Sequence, residues 1–374
     1  MNVAEALLDA FVNANILFCI GLALWFALRA AIAGSRLRHA YGTQLRLLNA
    51  VFLAIVFGPL LAFGFAALQG WGVAADLKLN LSDRVVAFYL NGGFEMNSSD
   101  FERLVLLRDT LTLDVLTGRG WLAQAIVAVF LAGLIVGLTR LGYSMICLRR
   151  IVSTSYEWRR IGRISLHLSD RTLVPFSTRG WWRYYVVIPS HMLTEGEALK
   201  VSLAHEFQHI RQGDLEWEVV LEAFKPFFFL NPAYHIWKRQ VEHLRELSCD
   251  NRVLSLGRID VAAYCETLLS VCQKTLRRDR AFVIAVPKVT LVTADRSMAR
   301  EGRRSFLEHR IVTVLNAPRL RRERMVFAAM AVPLLFAVAV TTLAIQPPGD
   351  WSHDRLMLST VVNLERIHAI NGRY

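Results

Sequence analysis

The sequence predicts an α+β protein in which a polytopic α-helical membrane part of four spans carries a cytoplasmic domain built round a metal-binding helix. Three observations predict it: four long uncharged apolar runs, a His-Glu-x-x-His motif from His205 to His209, and two short strand-like segments just before that motif. The chain has 374 residues, is 54% hydrophobic and only 20% charged, and has a net charge of +12.

The apolar runs cover residues 11–28, 47–75, 120–139 and 325–349. Each is about long enough to cross a hydrocarbon core of roughly 30 Å. The residues before the first run include Glu5 and Asp9 and no base, the wrong polarity for a signal peptide, so the run reads as a retained anchor. The link between the first two runs has Arg29, Arg36, Arg38 and Arg46 and no acid, whereas residues 76–119 hold seven acids against five bases. The first link is therefore expected in the cytoplasm, the second outside, and both termini outside. Residues 140–324 hold 31 bases and 19 acids and are expected to be cytoplasmic, with Arg149, Arg150, Arg159, Arg160 and the run from Arg319 to Arg324 meeting anionic headgroups. No recognised DNA-binding motif accompanies that charge, so direct nucleic-acid binding is not expected. The domain boundaries implied are 1–75, 76–119, 120–139, 140–324, 325–349 and 350–374.

In the outer loop, Asn91-Gly92-Gly93 marks a turn and Ser99-Asp100 caps a helix through Leu106. The loop reads either as a sensor or as a packed cap. The tail after Asp350 suits an amphipathic helix lying on the membrane through Leu356, Val362 and Ile367. Residues 164–168 and 184–188 read as strands. Tyr184, Tyr185, Val186, Val187 and Ile188 are candidates for an exposed edge to which a peptide adds as one more strand, or else for an internal strand.

A helix brings residues four apart onto one face, so His205 and His209 can offer two nitrogens to one metal ion, with Glu206 beside them as a proton relay. The chemistry implied is peptide-bond hydrolysis. Thr194 and Glu197 match a capping box for this helix, and Gly213 ends it. A third ligand is required, and a third His six residues after the second is excluded because position 215 is Leu. Asn231-Pro232 starts a helix running to about Gly257, which puts Glu246 and Asp250 on one face. Glu246 is the preferred third ligand, with Glu242 and His243 as rivals, and Asp250 is placed to orient a liganding His. Asp214, at a helix C-terminus, reads as solvated or else as a group that supports a metal ligand. His243 or a Tyr is available to steady a developing oxyanion. Phe224 to Phe229 is too short to span and reads as a core or membrane-surface contact. The five cysteines include no C-x-x-C pair and imply no structural disulfide; Cys249 reads as packing.

The order Leu168-Ser169-Asp170, Val174-Pro175, Gly180, Val187-Ile188-Pro189, HEFQHIRQGD from His205 to Asp214, Asn231-Pro232 and RELSCD from Arg245 to Asp250 resembles the BlaR/MecR-type membrane metalloproteases over roughly residues 120 to 320. The resemblance implies a gluzincin-like zinc domain in the bacterial cytoplasmic membrane, with one catalytic Zn2+ on His205, His209 and Glu246, and Glu206 as base. It also implies self-cleavage and the loss of a cytoplasmic transcriptional repressor in answer to an envelope signal. Prenyl-protein and heat-shock membrane proteases have a similar motif pair. The β-lactam-sensing members carry a penicillin-binding domain with Ser-x-x-Lys after the last span. Here 25 residues follow from Asp350 and include no lysine, so sensing by acylation is not expected. Arg303-Arg304-Ser305-Phe306 is the candidate self-cleavage region. The alternatives to a regulatory protease are a receptor or scaffold whose zinc domain is not proteolytic, and a quality-control protease. The expected partners are the lipid bilayer, a protein or peptide substrate and a second copy of the chain.

Overall fold

The computed structural model describes residues 3–71, 81–93, 95–277, 289–290, 300–316, 323–345 and 353–371. Helix α1 is Val3–Ile32, followed by a 3-10 turn at Arg36–His39, α2 (Tyr41–Val56), α3 (Gly58–Gly70), α4 (Leu81–Leu90), α5 (Ser98–Thr117) and α6 (Trp121–Thr154). Strands β1 (Tyr156–Ile161), β2 (Ile164–Ser169), β3 (Phe176–Arg179) and β4 (Tyr184–Pro189) come next. They lead to α7 (Gly196–Gln212), α8 (Asp214–Phe224), α9 (Pro232–Ser255), α10 (Val261–Arg277), β5 (Val289–Thr290), α11 (Arg300–Asn316), α12 (Glu323–Ala344) and α13 (His353–Asn371).

Helices α1, α6 and α12 are each long and apolar enough to cross a membrane. The second predicted span is instead two helices, α2 and α3, bent by 56° at a break beside Phe57. Pro59 lies in the first turn of α3, and its missing N–H and fixed φ explain why one helix cannot run through. Among the described residues there are therefore three such helices, or four if the bent pair is one span. The predicted charge anchors Arg319, Arg321 and Arg322, and the ends of the second and fourth apolar runs, lie outside the described residues.

The chain divides into two compact units. In the first, Met1–Ala27, Ala50–Ala132 and Ala329–Tyr374, Leu358 and Val362 of α13 are buried with Val86 of α4 and Phe101 of α5. Of the three residues expected on the apolar face of the tail helix, Val362 packs here, beside Leu358 and against α4 and α5, whereas Leu356 and Ile367 are 50% and 52% exposed. Arg108 of α5 donates to Asp9 at 3.1 Å.

The second unit, Leu28–Asn49 and Gly133–Ala328, holds a five-stranded sheet in the order β1-β2-β4-β3-β5. Strands β2 and β4 are parallel and the other pairs antiparallel. The predicted strands are β2 and β4. Strand β4 is internal, so the edge assigned to Tyr184–Ile188 is not exposed. Beyond β4 lies β3, whose outer side pairs with β5, Ser177 with Val289. β1 and β3 escaped the sequence reading because they lack alternation; every residue of β1 is exposed.

Leu166, Val186 and Ile188 of the sheet pack against Val201 of α7, Cys249 and Val253 of α9, and Tyr264 and Leu268 of α10. Val187 and Phe176 are buried with Leu148 of α6. Helix α6, at about 1.5 Å per residue, is longer than a hydrocarbon core is thick, and its last turns serve the sheet. Phe229 and Pro226 sit where a Cβ on Gly133 or Gly137 of α6 would be, at 2.0 and 2.9 Å, so the aromatic run is a packing contact that needs those two glycines.

Candidate metal centre

The helix carrying the histidines starts without the expected capping box: α7 begins at Gly196, and the Thr194 hydroxyl donates to the carbonyl of His191. It ends as expected at Gly213, whose φ of 75° is a left-handed cap that suits glycine. Asn231 caps α9 by accepting from the amide of Ala233, with Pro232 in the first turn. The buried stripe of α9 includes Arg245, Glu246, Cys249, Asp250 and Val253.

His205 and His209 are fully buried, and their Nε2 atoms face each other at 3.0 Å. Two nitrogens at ~2.0–2.1 Å from one tetrahedral ion would lie ~3.3 Å apart, so the pair is close to ligand spacing. Glu246 brings Oε2 to 3.6 Å from His205 Nε2 and Oε1 to 3.8 Å from His209 Nε2. Donor atoms of His205, His209 and Cys249 also lie within 4.8 Å of one another. Cys249 Sγ, however, is 3.5 Å from His205 Nδ1, behind the ring, and it donates to the carbonyl of His205. Burial first, then Asp250 and Glu246, hold its thiol well above the ordinary range, away from the thiolate that binds metals.

Each imidazole is steered from its Nδ1. His209 Nδ1 is 2.7 Å from Asp214 Oδ2. Asp214 is therefore not solvated: it is 3% exposed, because α8 begins directly after Gly213 and turns the side chain inward. Burial raises its carboxyl to about 8. His205 Nδ1 is 2.9 Å from the Tyr264 hydroxyl, which donates to Asp250 Oδ1 at 2.5 Å. Asp250 Oδ1 is itself 3.4 Å from that nitrogen, so it acts on His205 chiefly through Tyr264.

Asp250 is gripped by Arg310 of α11, whose Nε and Nη2 both donate at 2.7 Å. Arg310 Nη1 is 3.2 Å from Glu246 Oε2. Burial, the largest single influence, would raise both carboxyls; Arg310 together with the histidines, and at Asp250 the Tyr264 hydroxyl, outweighs it, and both are lowered. His209 is kept neutral, well below its usual value, by burial and by His205. A second buried network stiffens the same helices. Glu218 of α8 accepts from Arg245 at 2.6 Å and from Lys238 at 3.1 Å.

Glu206 is fully buried, and neither carboxylate oxygen has a hydrogen-bond partner. Burial raises it to about 7, against the lowering pull of His205 and of Ser177 on β3, which lies near without completing a hydrogen bond. Ligand-spaced nitrogens, a carboxylate facing them and an unpartnered buried carboxylate beside them fit one divalent cation.

Of the predicted residues, His205, Glu206, His209, Glu246 and Asp250 come together. The rivals do not: Glu242 is spent on Lys238, and His243 lines a separate cavity with His39 and His309. Tyr264 and Arg310 were missed because neither belongs to a motif. Asp214 had a signal, its place right after the helix-ending glycine.

The family model described as BlaR1 peptidase M56 matches residues 120–291. The chain carries an M56 peptidase domain. This bears out the BlaR/MecR-type resemblance over those residues and supports a BlaR1-like metalloprotease. No curated protein matches the chain. The M56 match takes in α7 and α9, and so both histidines and Glu246, but stops before α11 and Arg310.

Proposed function

We propose that the M56 domain is a zinc-dependent endopeptidase, carried in the bacterial cytoplasmic membrane with its active site on the cytoplasmic side. The observation that carries this reading is the convergence of both Nε2 atoms, 3.0 Å apart, on the Glu246 carboxylate. His205, His209 and Glu246 are the ligands, and Cys249 is a packing residue behind His205.

Zinc held there would supply Lewis-acid polarisation of the scissile carbonyl and acidify a water toward neutrality. Glu206 takes the proton and passes it to the leaving amine, a task suited to a carboxyl lifted to about 7 by burial. Asp214 holds His209 by its Nδ1, and Tyr264, backed by Asp250 and Arg310, holds His205. These contacts fix which ring nitrogen faces the metal. Strand β3 is the element along which an extended substrate would lie, because Ser177 is close to Glu206 and its outer side is a pairing edge. Val289–Thr290 of the chain already pair there, which supports a self-directed step. Arg303–Phe306 lie within α11 and would have to unwind to be cut.

The role we assign is regulatory: cleavage of the chain itself, of a cytoplasmic regulator such as a repressor, or of both. The test compares newly formed peptide N-termini in the native host carrying wild type or Glu206→Ala across several envelope stresses. Termini seen only with wild type identify the substrate. Identical termini, with the variant present and metal-loaded, would favour a non-proteolytic receptor or scaffold.

A further inference from the structure

The second unit contains a cavity of about 680 Å3 walled by the end of α1, the Arg36–His39 turn, α9 and α11. Five of its side chains are bases, Arg29, Arg38, His39, His243 and His309, and among the described residues no aspartate or glutamate lines it. The arginines end on neutral partners. Arg29 Nη1 donates to Gln240 Oε1 at 2.6 Å, and Arg38 Nε donates to His39 Nε2 at 2.8 Å. Burial first, then neighbouring cationic groups, push His39 and His243 below their usual range. The positive charge of the concavity is thus that of Arg29 and Arg38, whose hydrogen bonds go to neutral side chains. The remaining wall includes the apolar Ile32, Leu244 and Leu247.

We propose that this cavity binds a phosphate-bearing anion, with the arginine forks on the phosphate oxygens and the apolar wall against the adjoining aliphatic part. Guanidinium groups match phosphate oxygens two at a time. An acidic lipid headgroup and a free phosphate share this chemistry. The lipid is favoured by position: Arg29 is the first charge after the uncharged residues 10–28, where a span meets the headgroups. That preference rests on α1 being a span. Occupancy would also tie α9 to α11. His243 precedes Glu246 by one helical turn, and His309 adjoins Arg310, so the ligand bridges the two helices that meet in the metal centre.

The test titrates the full chain, in neutral detergent, with phosphatidylglycerol, with phosphatidylcholine or with inorganic phosphate, and reads bound ligand by native mass spectrometry alongside the melting midpoint. Phosphatidylglycerol is expected to bind and raise the midpoint. The Arg29→Gln/Arg38→Gln variant is expected to bind at least about tenfold more weakly, the loss of a charge-assisted bond or more. Arg149→Gln/Arg150→Gln, which removes two exposed arginines elsewhere, should leave binding unchanged. If inorganic phosphate produces the same Arg29- and Arg38-dependent shift, the source is soluble; if only the lipid does, it is a headgroup. Arg38 is exposed, so Arg38→Gln alone serves if the double variant fails to fold. Equal binding by wild type and the cavity variant, equal binding of phosphatidylcholine, or no response to either anion overturns the proposal.

Discussion

Replacing Arg310 by methionine removes the one cation that serves both buried carboxylates of α9. Arg310 is 2% exposed; it makes two bonds of 2.7 Å to Asp250 and an ion pair of 3.2 Å to Glu246. Truncating one partner of a buried pair leaves an uncompensated charge and costs about 3–5 kcal/mol. The carboxylates can escape by taking up protons. At pH 7 that costs about 3.5–4 kcal/mol for a group that otherwise ionises near pH 4–4.5, so the two figures agree in size. The sign with pH follows. In wild type both carboxyls are lowered, so their contribution is present above the unfolded-state values near 4 and is lost on acidification through the folded ones. In Arg310→Met they are raised, so the variant is penalised most at neutral pH and the gap closes toward pH 4. Denaturant or thermal melts of chelator-treated wild type and variant from pH 7 down to 4 would measure it. Added zinc is expected to recover part of the loss, by offering charge to Glu246 and not to Asp250. Arg310→Lys, which restores the charge without the fork, should fall between the two. Equal stability at pH 7, or a gap that widens on acidification, would refute the reasoning.

Cys249→Ser is expected to keep its zinc and its activity, while Glu246→Gln loses stoichiometric metal; atomic emission on the purified variants checks both, and the reverse result would make Cys249 the ligand. Asp214→Asn leaves His209 in place but weakens the hold on its Nδ1, with an expected 10–100-fold loss of metal affinity in a competition titration with a chromophoric chelator, about the size seen when groups that orient metal ligands are removed.

The M56 match ends before the helix that supplies Arg310. An element far along the chain thus sits against the metal-facing carboxylates, directly before the last apolar helix. Displacing α11 would withdraw the charge that makes Glu246 and Asp250 comfortable in the interior.

The apolar runs, the histidine pair and the Glu246–Asp250 face were legible in the sequence because each is a local periodicity: length in a span, or spacing of four on a helix. The same locality explains the misses. Whether the second run is one helix turned on Pro59, whether Asp214 faces water or His209, and whether β4 is an edge all depend on what packs alongside. Tertiary structure alone decided that Tyr264 stands between His205 and Asp250, and that Arg310, 60 residues beyond Asp250, neutralises it. The histidine pair can be read from spacing because both residues lie on one helix. The groups that orient and balance it come from other helices, chosen by the need to satisfy buried charge.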